Sequence, residues 1–254
     1  MLKLEIASIK FQNALNKVFP NSKKEYFSSA IITAAGSGTR MGGVSKQLLD
    51  LCGKPCLLYS LLAFEHCCDV SEIIVVARES EEEIIRDLCR DYGVSKLKAV
   101  VFGGDTRQAS VSNGFFAISK KSDFVLIHDA ARPLISPEAI SKLLKEARRF
   151  GAATAAKKVS DTIKRSVDGK FISETVPRDD LFAVQTPQVF KTDLYRVALA
   201  LAEKDKIDVT DDCSLAEHAG FSVKLCDLGI QNIKLTTADD LNLVKSILME
   251  RENG

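Results

Sequence analysis

Ala30-Ile31-Ile32-Thr33 runs into Ala34-Ala35-Gly36-Ser37-Gly38-Thr39-Arg40-Met41, with Lys46-Gln47 a few residues further on. The apolar run reads as a buried strand. The glycines behind it let the main chain turn tightly and bring N–H groups against phosphate oxygens. Arg40 and Lys46 can neutralise charge that builds on those oxygens. Strand, glycine loop and two cations describe a place where phosphate is bound and reacted. A plain surface loop with incidental Arg and Lys is the competing reading of the stretch taken alone.

Outward from that loop, short apolar runs alternate with amphipathic stretches. Strands are expected over 30–34, 72–77, 98–102, 124–128 and 152–156, and helices over 57–67, 80–92, 106–119 and 137–150. Ser136 before Pro137 marks a helix start. The βαβα order implies an α/β fold: a Rossmann-like, mostly parallel sheet with helices on both faces. Ligands of such sheets bind beyond the carboxyl ends of the strands. Past residue 157 the pattern changes. Two alternating runs, 162–167 and 170–176, flank Asp168-Gly169, a hairpin signal. The hairpin is expected to protrude as an arm, about 160–178, and to pack on a second subunit, because an isolated hairpin is marginal in water. Next come a strand over 181–184, the Thr186-Pro187-Gln188 segment, helices over 193–204 and 211–219, a strand over 222–226 and a last helix from Ala238. Thr237 and Asp240 resemble a capping box. Residues 29–254 read as one domain. Residues 1–28 form an extension with loosely helical apolar spacing, whose function is not legible.

The chain has 254 residues, a formal net charge of +1 and seven cysteines. Near-neutral charge argues against a general nucleic-acid binder, and no apolar run approaches the roughly 18 residues of a membrane span. The cysteines make no CxxC pair, which suggests reduced thiols in a cytoplasmic setting. Cys67-Cys68 are expected to fill core space at a helix end.

Further candidates follow the strands. Gly103-Gly104-Asp105-Thr106-Arg107 opens a helix whose free N–H groups could meet an anion, with Ser110 one turn in; alternatively Asp105 caps the helix and pairs with Arg107. Asp129, in His128-Asp129-Ala130-Ala131-Arg132, could hold a divalent cation that bridges phosphates, or could be a cap paired with an arginine. His128 is given no role. Lys164, Arg165, Arg178 and Lys234 matter only if they converge. The P-loop pattern is absent around Gly53-Lys54, and the third glycine of a dinucleotide fingerprint is missing after Gly38.

In this order, AAGSGTRMG, SKQ, GGDTRQASV, HDAARP, DTIKR, TVPRDDL, QTPQVF, TDD and NIKLT resemble the 2-C-methyl-D-erythritol 4-phosphate cytidylyltransferases of the non-mevalonate isoprenoid pathway, over about residues 29–250. The resemblance implies a nucleotide-diphospho-sugar transferase-like fold and a homodimer with exchanged arms. It implies transfer of CMP from CTP to 2-C-methyl-D-erythritol 4-phosphate, with Mg²⁺ accompanying the triphosphate and Asp129 as a nearby carboxylate. Arg40 and Lys46 would stabilise the pentacoordinate α-phosphorus. Ala34, Ala35, Gly36, Gly38, Gly104, Asp105, Arg107, Ser110, Asp129 and Ala130 would line the nucleotide. Thr162, Arg178 and Lys234 would hold the methylerythritol phosphate, the first two reaching the partner's site. Phe182 stands where a Trp is expected and Cys213 where Ala is common. Rival readings are a ribitol 5-phosphate cytidylyltransferase, whose relatives tend to read AGG at 34–36, and a non-catalytic CTP-binding protein.

Overall fold

The computed structural model of the chain describes residues 2–18, 25–36 and 45–253. A seven-stranded sheet forms the centre. In spatial order its strands are β11 (Lys224–Cys226), β7 (Ala152–Lys158), β10 (Phe182–Lys191), β6 (Phe124–Asp129), β1 (Ser28–Thr33), β4 (Glu72–Ala77) and β5 (Leu97–Phe102). β1 lies parallel between β4 and β6, with Ile31 opposite Ile74 on one side and Ile127 on the other. β10 runs antiparallel to both of its neighbours. The sheet is therefore mostly parallel, as the βαβα order predicts.

Because side chains alternate across a strand, β1 feeds two cores. Ala30 and Ile32 pack with Leu57, Leu61 and Phe64 of α2 (Cys56–His66), Ile85 of α3 (Glu82–Asp91) and Leu143 of α5 (Pro137–Phe150). Ile31 packs the other way, with Val111 and Phe115 of α4 (Arg107–Ala117), Tyr195 of α6 (Thr192–Asp205) and Leu215 of α7 (Asp212–His218). Burial on both faces is why these strands read as continuous apolar runs. A third cluster seats α8 (Ala238–Asn253) over the short hairpin of β2 (Asp50–Leu51) and β3 (Lys54–Pro55), through Leu51, Val244 and Leu248. Residues Leu2–Val18 form α1, which adds Ile9 to the second core.

The start signals act as expected. Ser136 accepts from Ala139 N at 3.3 Å ahead of Pro137. Thr237 and Asp240 cap reciprocally, at 2.8 and 3.3 Å. Three details differ from expectation. β10 does not stop at Val184 but continues to Lys191, slipping register between Val184 and Gln188. Pro187 lacks an N–H for the ladder, so the strand passes it as an irregularity. The hairpin arm, β8 (Ile163–Arg165) with β9 (Glu174–Val176), is shorter than its alternating pattern. The Asp168 carboxylate captures the Lys170 and Phe171 amides at 2.8 and 3.0 Å and closes its own turn before the strands can extend. Cys67 fills core space but Cys68 is exposed, and all seven cysteines are free.

Gly114 shows how tightly α4 meets the sheet: a Cβ there would lie 2.7 Å from Ile31 Cγ2 and 2.8 Å from Val76 Cγ2. Alanine within a helix ordinarily stabilises relative to glycine, but overpacking reverses the sign. Gly114→Ala should lower the unfolding free energy by roughly 1–3 kcal/mol in urea titrations, where an exposed helix position would gain.

Candidate active site

The chain order of the sheet reverses between β1 and β6, and in open α/β sheets the crevice at that point receives the ligand. Asp129, the last residue of β6, occupies it. Lys234 Nζ lies 2.7 Å from Asp129 Oδ2, Arg132 Nε is 3.9 Å from the same oxygen, and Arg107 Nη2 is 3.9 Å from Oδ1. Thr33 Oγ1, at the end of β1, donates to Oδ1 at 3.4 Å. Burial alone would raise the Asp129 pKa. Lys234, Arg107 and Arg132 outweigh burial and hold the carboxyl below its ordinary value. Asp129 is thus a fixed negative centre that gathers three cations, Lys234, Arg107 and Arg132, from three stretches of sequence.

Behind it stands a second buried acid. Asp212 opens α7, with Arg107 Nη1 at 2.7 Å from Oδ2 and the Tyr195 hydroxyl donating to Oδ1 at 2.6 Å. Its own N–H donates to Gln188 Oε1 at 3.0 Å. Burial pushes Asp212 up, and Arg107 opposes that push. Arg107 stays charged, since the two acids offset the desolvation of its guanidinium. Breaking one partner out of such a buried pair typically costs about 3–5 kcal/mol, so Arg107 is locked in place. It does not pair with Asp105 as its neighbour in sequence; Thr106 is the helix cap, accepting from Ala109 N at 3.0 Å.

The segment that carries Lys234 is laced to the strand ends. Asn232 Nδ2 donates to Thr186 O at 2.7 Å, Arg132 Nη1 to Asn232 O at 2.8 Å and Leu235 N to Ala131 O at 2.8 Å. Thr186 Oγ1 in turn accepts from Asp129 N at 3.0 Å. Lys46, in a 3-10 turn over Lys46–Leu48, donates from Nζ to Thr236 O at 3.0 Å. Lys46 and Lys234, 188 positions apart in sequence, therefore converge on one short segment.

The other expected residues divide into groups. Ala34 and Ala130 are buried at the crevice floor, bonded through N–H to Val76 O at 2.6 Å and Thr33 O at 3.0 Å. Ala35 and Gly36 follow β1, and Gly36 O accepts from Arg78 at 2.6 Å. Ser110 clamps the glycine turn, donating to Gly104 O at 3.3 Å and accepting from Gly104 N at 3.0 Å. Gly104 is required by its own helix, because a Cβ there would sit 2.6 Å from Ala109 Cβ. Asp105 is exposed beside this turn. Thr162 and Arg178 are exposed on the arm, where Arg178 Nη1 donates to Ser160 O. No contact among the described residues joins them to Asp129. Gly38 and Arg40 lie outside the described residues.

With the crevice and its cations in view, comparison with known proteins decides the lineage. The sequence profile described as "IspD: 2-C-methyl-D-erythritol 4-phosphate cytidylyltransferase" matches residues 28–250. The chain belongs to this family. It is 43% identical over 225 residues to the 2-C-methyl-D-erythritol 4-phosphate cytidylyltransferase of Halalkalibacterium halodurans, covering 88% of this chain and 98% of that one. The same-named protein of Alkaliphilus metalliredigens is 42% identical, with coverage of 89% and 95%. The crystal structure of 4-diphosphocytidyl-2C-methyl-D-erythritol synthase from Anaerococcus prevotii superposes with a TM-score of 0.78 at 33% identity, covering 89% of this chain and 97% of that one. The family is one of nucleotidyltransferases, so the chain is of an enzyme class that moves a cytidylyl group.

Sequence reasoning passed over Asp212, Tyr195 and Thr186. TDD and QTPQVF were visible as motifs, but a buried acid is not distinguishable from a cap without knowing what it faces. His128 is also central, packed at 5.2 Å against the Phe64 ring, with Nε2 3.2 Å from Arg132 O and Nδ1 3.3 Å from Thr186 Oγ1. Burial pulls its pKa down to about 4. The imidazole is neutral when folded and charges on unfolding below its ordinary value, so its contribution is complete above about pH 6.5 and fades as pH falls to 4. The stability gap between wild type and His128→Gln should therefore shrink by about 3 kcal/mol from pH 7 to pH 4. Urea titrations across that range check this, and a constant gap would mean an imidazole that protonates as readily in the fold as in the unfolded chain.

Proposed function

We propose that this chain transfers CMP from CTP to 2-C-methyl-D-erythritol 4-phosphate, giving 4-diphosphocytidyl-2-C-methyl-D-erythritol and pyrophosphate. The observation that carries this reading is the meeting of Lys46 and Lys234 at the β1–β6 crevice, in a chain of this family. A substrate phosphate oxygen attacks the α-phosphorus of CTP. A new P–O bond forms, the bond from the α-phosphorus to the bridging oxygen breaks, and pyrophosphate leaves with that electron pair. Both reactants are anions, so positioning and cation placement supply most of the rate. The attacking oxygen is ionised at neutral pH and needs no general base. His128, fully buried with its ring nitrogens facing Arg132 O and Thr186 Oγ1, supplies none.

In this reading Lys46 and Arg40 neutralise the charge that grows on the α-phosphate. Arg107, fixed by Asp212, lies at the nucleotide with Ala34, Ala35, Gly36, Gly38, Gly104, Asp105, Ser110, Asp129 and Ala130. Lys234, its side chain 44% exposed while Asp129 is 11%, keeps an accessible face for the sugar phosphate. Mg²⁺ fits as a companion of the triphosphate. No three metal-ligating side chains gather among the described residues, and Asp129 is already hydrogen-bonded to Lys234. Asp129 would be at most one ligand, with phosphate oxygens supplying the rest. The bound cation would neutralise phosphate charge.

The arm gives the reading its second half. Val167, Phe171 and Ile172 are 91%, 76% and 66% exposed on a hairpin of three-residue strands. Such a hairpin needs a covering surface to be stable, which supports a homodimer in which Thr162 and Arg178 serve the partner's site. Residues 29–254 then form the catalytic domain and 1–28 an extension. No helix among the described residues is long and apolar enough to cross a membrane, and the seven free thiols fit a cytoplasmic setting.

Pyrophosphate release with CTP and either sugar phosphate tests the reaction. Turnover is expected with methylerythritol phosphate; turnover with ribitol 5-phosphate alone would reject it. Lys46→Ala should lower kcat by about 10²–10³, and Lys234→Ala should raise KM for the sugar phosphate about 10–100-fold. CTP binding without turnover, untouched by Lys46→Ala, would mean a non-catalytic binder.

For the arm, subunits carrying Arg178→Ala are co-expressed with subunits carrying Lys46→Ala. Mixed dimers should recover activity that neither variant has alone, through one intact composite site. Absence of recovery would place Arg178 in its own subunit's site.

A further inference from the structure

One carboxylate grips the chain on both sides of Lys46. Ser45 Oγ donates to Glu81 Oε1 at 2.6 Å, and Gln47 Nε2 donates to Glu81 Oε2 at 3.0 Å. Glu81 ends the 3-10 turn Glu79–Glu81 at the foot of α3 and is 5% exposed. Arg78 precedes the same turn. Its Nη1 lies 3.9 Å from Glu81 Oε1, while its Nη2 donates to Gly36 O at 2.6 Å. A single turn after β4 thus fastens Gly36 on one bank of the glycine-rich stretch and Ser45–Gln47 on the other.

Glu81 stands at the N-cap of α3, yet its side chain makes no capping hydrogen bond. The acid is not spent on its own helix. A buried carboxylate is costly unless its oxygens are satisfied, and here each oxygen accepts from an immediate neighbour of Lys46. The Lys46 ammonium is left to a main-chain carbonyl, Thr236 O. A neutral partner of that kind competes weakly with a phosphate oxygen, and charge-assisted bonds are the stronger ones.

We propose that Glu81 is a positioning residue for Lys46, with Arg78 holding the opposite bank at Gly36. Glu81 acts on the rate of the chemical step and not on sugar-phosphate affinity. The inference rests on the reading of Lys46 as the cation at the reacting phosphate. One hydrogen bond on each side of Lys46 fixes where the ammonium can reach, and a misplacement of about 1 Å can cost about 10²-fold in rate.

The test is a double-mutant cycle of wild type, Glu81→Ala, Lys46→Ala and the double variant, read by pyrophosphate release with CTP and methylerythritol phosphate. Glu81→Ala should lower kcat about 10–100-fold. KM for methylerythritol phosphate should stay within about twofold, the split expected when only transition-state contacts are lost. In the Lys46→Ala background the same substitution should cost less than about threefold, the signature of residues acting as a unit. Glu81→Gln keeps the shape but offers an amide where Gln47 donates, and should show part of the loss. Should Glu81→Ala lower the melting temperature, Ser45→Ala and Gln47→Ala each remove one of the two bonds and leave Glu81 intact; each should reproduce part of the kcat loss. Equal losses in both backgrounds, a loss confined to KM, or no loss from either neighbour would overturn the proposal. A crippled Lys46→Ala with a normal Glu81→Ala sinks this inference alone, whereas a fully active Lys46→Ala removes the reading of Lys46 and this inference together.

Discussion

A single carboxylate among cations organises this molecule. Asp129 ends the central strand β6, and its charge draws in Lys234 and Arg107 from elements far apart in the chain and Arg132 from the turn just beyond it. Without that negative centre, positive groups at the mouth of one crevice would repel each other. With it, they coexist side by side. Under the proposed reaction, a polyanion entering the crevice would meet cations already assembled, leaving little reorganisation for the moment of reaction.

The cost of that arrangement is carried by buried polar groups that are paired with one another. Asp212 is fully enclosed, and a lone buried charge there would be strongly unfavourable. Arg107, Tyr195 and the side chain of Gln188 surround it. The network ties α4, α6, α7 and β10 to one side of the crevice, while Thr186 and Asn232 tie β10 to the Lys234 segment. Rigidity at the site therefore comes from hydrogen bonds between elements as much as from the apolar cores on either face.

Much of this was legible in the sequence because it is periodic or local. β1, β4 and β6 are buried on both faces and announce themselves as apolar runs, and Ser136, Thr237 and Asp240 cap as their spacing says. The convergence of Lys46 and Lys234 was an expectation from family resemblance, and the fold brings both to the 234–236 segment. What stayed hidden is long-range. That Arg107 chooses Asp212 over Asp105 depends on α7 packing beside α4, which no window of sequence contains. The continuation of β10 past Pro187 was hidden for another reason: proline argues locally against a strand, and flanking pairs to β6 and β7 overrule it.

The reversed direction of β10 reaches beyond pairing geometry. Because it opposes β7, the arm that joins them leaves and re-enters at the rim where β6 ends, with Phe182 opposite Lys158. The projection and the crevice share a rim by topology, without any dedicated linker. A contact made at the arm's root, by a neighbouring molecule or a small compound, would bear on the Thr186–Asp129 junction through one strand, so crowding along that rim and the crevice floor are mechanically close.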